Sequence, residues 1–239
     1  MTELSSPFFL EFVGVPGSGK STISHRVVEA LTVREDCSVS EPTYAINGRL
    51  SLSQPIAKLP YIGYGAIHEW KLVRWYATQA GPVALNPLLL LNWLFVRGVV
   101  EWSLFRSRAT ALDQGLIQAL WSFQLSESAD TVSFFRRRLL EVYPRTSSLI
   151  VCVEVSPQTA RARLEDRIDN QSRVGPGRTA SFDVSESSEA YQSTKGIVRE
   201  LVNSRPGAAM VTLQNDAQTD LAANVESVVE EMKTRVQSS

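Results

Sequence analysis

Gly14-Val15-Pro16-Gly17-Ser18-Gly19-Lys20-Ser21 fits the pattern GxxxxGK followed by Ser or Thr at every fixed position. Glycines let a backbone curl until successive N–H groups point inward at phosphate oxygens. A helix starting at the end of such a loop adds its unpaired N–H groups and positive dipole end to the same anion. At average residue usage the bare pattern arises by chance in about one chain in a hundred of this length. Its flanks make it rarer still. Residues 8–13 are a short, bulky, mostly apolar run that stops at glycine, as a buried parallel strand does. From Lys20 onward, Ile23, Val27 and Leu31 recur every four residues, the spacing of a helix packed on that strand.

The same alternation continues outward. A β-branched patch at 37–40 ends at Glu41-Pro42, where proline takes the chain out of the sheet. Residues 51–60 read as loop, 61–77 as an aromatic-rich helix, and 88–105 as a long apolar helix. Residues 110–113 form a third strand, cut short at Gly115. Val132, Phe135, Leu139 and Val142 then give a helical face. Residues 149–153 are a fourth strand, with Ser156-Pro157 as a helix start, and 209–213 a fifth. Residues 169–188, rich in Ser, Gly, Arg and Asn, read as a mobile loop. Thr219 is placed to cap a last helix striped by Leu221, Val225, Val228, Val229 and Met232. Five apolar strands alternating with helices predict an α/β fold, three layers deep, with a parallel sheet and helices on both faces. Neither repeat nor linker divides the chain, so residues 1–239 are taken as one domain. A helical insertion occupies about 44–107 and a lid loop about 166–188.

Composition bounds the partners. The 239 residues are 44% hydrophobic and 21% charged, enough for a substantial core. Twenty-four basic and 25 acidic residues leave a net charge of −1, no field to attract nucleic acid. Arg136-Arg137-Arg138, the basic run, reads as a solvated helix face. Cys37 and Cys152 lack a CxxC partner and read as reduced, buried thiols. The N-terminal residues carry no basic region or cleavage site, which points to a cytoplasmic protein. The run 88–105 is broken by Asn92, Arg97 and Glu101, so a buried helix is expected rather than stable membrane insertion.

Several charged residues complete a site around the loop. Lys20 would reach the β- and γ-phosphates, and the Ser21 hydroxyl would ligate Mg²⁺. Asp113, with Gln114 beside it, ends the third strand at the edge where ligands bind in parallel sheets. Asp113 would hold Mg²⁺ or take a proton from an acceptor hydroxyl, and Glu41 leaves strand two at the same edge. Arg163 and Arg167 share a helix face, and Arg173 and Arg178 follow. Closing arginines would supply donors to a transferring phosphoryl group and exclude water. Arg97, a charge in an apolar run, requires a partner. His25 and His68 are isolated and are assigned no metal. Trp70, Trp75, Trp93 and Trp102 in the insertion read mainly as packing residues.

In order, these landmarks resemble the nucleoside and nucleotide kinases of the P-loop fold, thymidylate kinases in particular. They are the glycine loop, Glu41-Pro42 after strand two, Asp113 after strand three, and Pro157, Arg163 and Arg167 after strand four. The resemblance spans nearly the whole chain, and the loop is its one individually specific motif. It implies sheet order 2-3-1-4-5, with ATP and Mg²⁺ as cofactors. Gly14, Val15, Pro16, Gly17, Ser18, Gly19, Lys20, Ser21 and Thr22 would hold the phosphates, with Arg163. Asn215 and Ala217 would border adenine. Glu41, Arg97, Asp113 and Gln114 would meet the acceptor, Arg97 through a phosphate. Two signatures differ. Gln114 follows Asp113 where thymidylate kinases carry Arg, and Ser40-Glu41-Pro42-Thr43-Tyr44 replaces their Arg-Glu-Pro-Gly-Gly.

The expected activity is transfer of the γ-phosphoryl of ATP to a small molecule, with a nucleoside or nucleoside monophosphate as first choice. A non-nucleotide alcohol such as an antibiotic or sugar is the second acceptor class. An ATPase or nucleotide-dependent binding module is the third reading. Oligomeric state stays open, a homodimer included.

Overall fold

The computed structural model of the chain describes residues 8–34, 39–47, 53–80, 86–106, 109–166, 184–216 and 218–237. Its five strands are β1 (Phe9–Val13), β2 (Val39–Ser40), β3 (Ala109–Leu112), β4 (Ser148–Glu154) and β5 (Ala208–Gln214). All pair in parallel, in the order β2-β3-β1-β4-β5. The register sets Glu11 opposite Leu112 and Val13 opposite Cys152. The chain therefore leaves β1, β3 and β4 along one edge, at Gly14, Asp113 and Val155.

Every residue of β1 is buried, because both faces of the strand are covered. Phe8, Leu10 and Phe12 pack on one face against Ile23, Val27 and Leu31 of α1 (Lys20–Arg34). Val228, Val229 and Met232 of the last helix, Leu221–Gln237, join them there. Phe9 and Val13 point to the other face, with the apolar stripes of the remaining helices. These begin with α2 (Pro42–Asn47), α3 (Ser53–His68) and α4 (Trp70–Trp75), the last followed by a π-helical turn at Tyr76–Ala80. Next come α5 (Pro87–Phe105), α6 (Leu116–Gln124) and α7 (Ala129–Val142). The remainder on this face are α8 (Pro157–Glu165) and α9 (Val184–Ser204), and the last helix, on the α1 face, is α10 (Leu221–Gln237).

Three local expectations are corrected. Residues 53–60, expected as loop, are the first half of α3, with Pro60 inside the helix and exposed to solvent. What holds α3 is tertiary: a Cβ on Gly65 would lie 1.9 Å from the Leu94 carbonyl oxygen. One on Gly98 would lie 1.8 Å from the Tyr61 oxygen, so two glycines let α3 and α5 touch backbone to backbone. The cap of α10 is Asp220 rather than Thr219, since Asp220 Oδ1 accepts from the Ala222 N–H at 2.8 Å. Residues 184–188, expected as loop, begin α9. The rest of the lid, 167–183, lies outside the described residues, as does Cys37.

By length and composition α5 could cross a membrane, yet it packs into the helical layer. Its Trp93 is fully buried against the rings of Phe123 and Phe135. Trp75 stacks on Phe134, while Trp70 and Trp102 stay partly exposed. Cys152 is buried, and burial pushes its thiol up to about 11.

Candidate active site

The loop between β1 and α1 is shaped by its own sequence. Gly17 and Gly19 have φ of 81° and 84°, a left-handed conformation that side chains rarely adopt. Space is missing there too. A Cβ on Gly17 would lie 2.5 Å from the Ala160 carbonyl oxygen, and one on Gly19 2.5 Å from Asn215 Nδ2. The Ser18 N–H closes a turn onto the Val15 carbonyl at 3.1 Å, and α1 begins at Lys20. The unpaired N–H groups of the first turn of α1 thus follow the loop directly. Pro16 and Thr22 lie in this stretch, Pro16 part-buried and Thr22 exposed.

Two other strand ends and helix α8 supply side chains to this loop. Asp113, the residue after β3, is buried, and its Oδ2 accepts from the Ser21 hydroxyl at 3.2 Å. Its Oδ1 is buried with no hydrogen-bond partner among the described residues. A buried carboxylate oxygen left open beside a hydroxyl is a fitting oxygen donor for a hard cation, so Ser21 and Asp113 suit Mg²⁺. Gln114 is next to Asp113 and half-buried. From the far side, Asn215 Nδ2 donates to the Ser18 carbonyl at 2.7 Å. Arg163 Nη1 lies 3.4 Å from the Gly17 oxygen and 3.5 Å from that of Ser18. Asp216 Oδ1 accepts from the Ser156 N–H at 2.7 Å, tying the end of β5 to the start of α8. That bond holds the Asp216 carboxyl below its ordinary value. Beside this seam runs a cleft of about 220 Å³, bordered by Val15, Glu154, Pro157, Tyr191, Gln214 and Asp216. Lys195 pairs with Glu154 at its edge.

Glu41 is turned onto α1. Its Oε1 accepts from the Ser24 hydroxyl at 3.0 Å, and its Oε2 lies 3.0 Å from His25 Nδ1. His25, isolated in the sequence, thus stands against a site residue one helical turn past Ser21. The spacing on α1 was the available signal, because Ser21, Ser24 and His25 share a helix face.

Two further contributors were not read from the sequence. The Gly14 N–H donates to Gln118 Oε1 at 3.1 Å, anchoring the loop's first amide to α6. Beneath it, buried Glu11 Oε1 accepts from the N–H groups of Ile117 at 2.7 Å and Gln118 at 3.4 Å. Burial pushes the Glu11 carboxyl up to about 7, against the pull of those N–H groups and of Tyr143. A lone carboxylate in a bulky strand was the trace it left in the sequence.

Arg97 finds its partner inside the insertion. Its Nε lies 3.3 Å from Oε1 of fully buried Glu69, its Nη2 pairs with Glu101, and Arg138 Nε holds the other Glu69 oxygen at 2.8 Å. No hydrogen bond or ion pair joins Arg97 to residues 14–21 among the described residues. Arg138, expected on a solvated face, is instead half-buried in this cluster. Arg167, Arg173, Arg178 and Ala217 lie outside the described residues.

No protein-family model matches the sequence, and no curated protein matches it. Solved structures do. A deoxyadenosine kinase from M. mycoides, with products dCMP and a flexible dCDP bound, aligns at TM-score 0.56 and 13% identity, over 95% of this chain and 99% of that one. With dATP bound, the deoxyadenosine kinase aligns at 0.53 and 12%, over 94% and 99%. A thymidylate kinase from Ehrlichia chaffeensis, at TM-score 0.46 and 12% identity over 95% and 99%, adds no weight. The chain shares the fold of the deoxyadenosine kinase structures, with the strand order that the family resemblance implied.

Proposed function

We propose that the chain is a phosphotransferase that moves the γ-phosphoryl of ATP to a nucleoside or nucleoside monophosphate. The observation that carries this reading is the Ser21–Asp113 pair, 3.2 Å apart, with an open, buried Asp113 oxygen at the mouth of the glycine loop. When bound, Mg²⁺ would neutralise charge on the β- and γ-phosphate oxygens. The chain's own groups do the rest. The loop amides and Lys20 hold the transferring group, where fixed donors in a dry site are worth most. Arg163 reaches the loop from α8, and Asn215 braces its backbone. Arg167 and Arg173 would close over the phosphates. With Asp113 assigned to the cation, Glu41 is the carboxylate left to take a proton from an acceptor hydroxyl. A phosphate acceptor would not need that base. The nucleotides bound in the deoxyadenosine kinase structures support a nucleoside-sized acceptor.

The test is transfer of labelled γ-phosphate from ATP across a panel of deoxynucleosides, nucleoside monophosphates and aminoglycoside-like alcohols. Labelled nucleotide is expected, requiring Mg²⁺ and falling at least ~100-fold in Lys20→Ala. Label on the alcohols alone would move the acceptor class. Free phosphate without any labelled acceptor would end the kinase reading.

A further inference from the structure

The Glu41 carboxylate is fixed by groups that its own segment does not supply. Its backbone opens α2, the carbonyl accepting from the Ala45 N–H at 2.9 Å, and the edge strand before it is two residues long. A glutamate so placed has free side-chain torsions, and ordering them costs entropy. The ordering groups come from α1. The buried Ser24 hydroxyl donates to Oε1 at 3.0 Å, and His25 Nδ1 lies 3.0 Å from Oε2. The Glu41 side chain is left 10% exposed, held in place yet within reach of a small molecule.

His25 is itself oriented. Its Nε2 lies 3.4 Å from Glu29 Oε1, one helical turn further along, and Glu29 Oε2 accepts from Arg26 Nη1 at 3.2 Å. Ionised carboxylates only accept, so a carboxylate at each ring nitrogen selects the form of the ring that donates from both. The groups that hold Glu41 also share a helix with the hydroxyl that suits Mg²⁺. Ser21, bonded to Asp113, precedes Ser24 and His25 by three and four residues, about one turn of 5.4 Å. Because α1 begins at Lys20, the glycine loop sets the position of that whole turn.

We propose that His25 is a positioning residue for phosphoryl transfer to a hydroxyl, aiming the Glu41 carboxylate at the acceptor; this rests on the reading of Glu41 as the base. As the acceptor oxygen bonds to the γ-phosphorus, the bond to the β–γ bridging oxygen breaks and ADP leaves with that electron pair. The hydroxyl proton passes to Glu41. Each Glu41 oxygen keeps a lone pair for it, since Ser24 and His25 occupy one apiece. Without the imidazole the carboxylate regains its other rotamers, and a misplacement of about 1 Å costs on the order of 100-fold. A phosphate acceptor is already ionised and makes no use of the arrangement. The acceptor-side charges agree with a hydroxyl. Arg97 is bound to Glu69 and Glu101, and Gln114 rather than a cation follows Asp113.

The chain has two histidines, so the His25 ring resonances are identified by their loss in His25→Gln. They should move in Glu41→Gln. Unmoved resonances would mean that the ring does not meet Glu41, and overturn the proposal whatever the activity. In transfer of labelled γ-phosphate from MgATP to deoxynucleosides, His25→Gln, whose amide stands where Nε2 was, should lower kcat ~10–100-fold. KM for MgATP should stay within about twofold. His25→Asn, whose amide N–H falls where Nδ1 stands, should recover most of the loss. With nucleoside monophosphates the loss should be at least ~10-fold smaller. An active parent indifferent to His25→Gln overturns the proposal and leaves the kinase reading standing. So does an equal loss with both acceptor classes that His25→Asn does not recover, which marks a merely structural role. Label on monophosphates alone also overturns it, since no base is then needed. A parent that labels no acceptor ends the kinase reading, and this role with it.

Discussion

Glu11 concentrates the residue-scale argument. A carboxylate in the middle of a five-residue apolar strand is tolerated because two N–H groups at the start of α6 and the Tyr143 hydroxyl point at it. Burial still dominates and favours the protonated form, raising the folded value to about 7. The folded state therefore binds more protons than the unfolded one between about pH 4.5 and 7. Stability from this group is present below that window and is lost as pH rises through it. Glu11→Gln keeps an acceptor oxygen and removes the titration. Its unfolding free energy in urea should gain on the parent's from pH 5 to pH 8, by up to about 3 kcal/mol. A gap that does not change with pH would show that Glu11 does not titrate there. The same residue is positional, since α6 carries Gln118 and through it the first amide of the glycine loop.

At the scale of elements, the insertion rests on two features of different kinds. The first is steric. With 1.8 Å between an added Cβ and the Tyr61 oxygen, Gly98→Ala must push α3 off α5. A loss of about 3 kcal/mol in urea unfolding is expected; a change under about 0.5 kcal/mol would mean that the helices are not in backbone contact. The second is electrostatic. Glu69 is fully buried between Arg97 and Arg138, and breaking such a cluster leaves an uncompensated charge. Arg97→Ala should destabilise the fold by roughly 3–5 kcal/mol, with KM for the phosphoryl acceptor unchanged. A raised KM in a folded variant would support the expected contact of Arg97 with the acceptor.

For the whole molecule, the parallel sheet makes one edge chemically distinct, because β1, β3 and β4 all run toward it and helices cover both faces. Glycine loop, Asp113 and Asn215 meet there although the chain separates them widely; Asn215 and Ser18 are 197 residues apart. Ligand binding to that edge is thus linked to global unfolding. At one hundred times its Kd, MgATP should add about 2.7 kcal/mol of stability. For a chain of this size that raises Tm by roughly 5–10 °C. The rise should vanish in Lys20→Ala. An equal rise in both proteins would place nucleotide binding elsewhere.

The sequence alone determined what short-range rules can encode. The left-handed turns at Gly17 and Gly19, the period change at Lys20, the apolar strands and the Ser156-Pro157 helix start are each written in a few adjacent residues. Parallel order followed from their alternation and from the resemblance of the landmarks. Tertiary structure decided the rest, because the remaining contacts join residues whose letters carry no mark of each other. Gly14 and Gln118 are 104 residues apart, and Glu69 and Arg138 are 69 apart. Only packing could turn Arg97 toward Glu69, set His25 against Glu41, and keep Pro60 inside a helix. In each case burial and pairing across the fold outweighed local propensity.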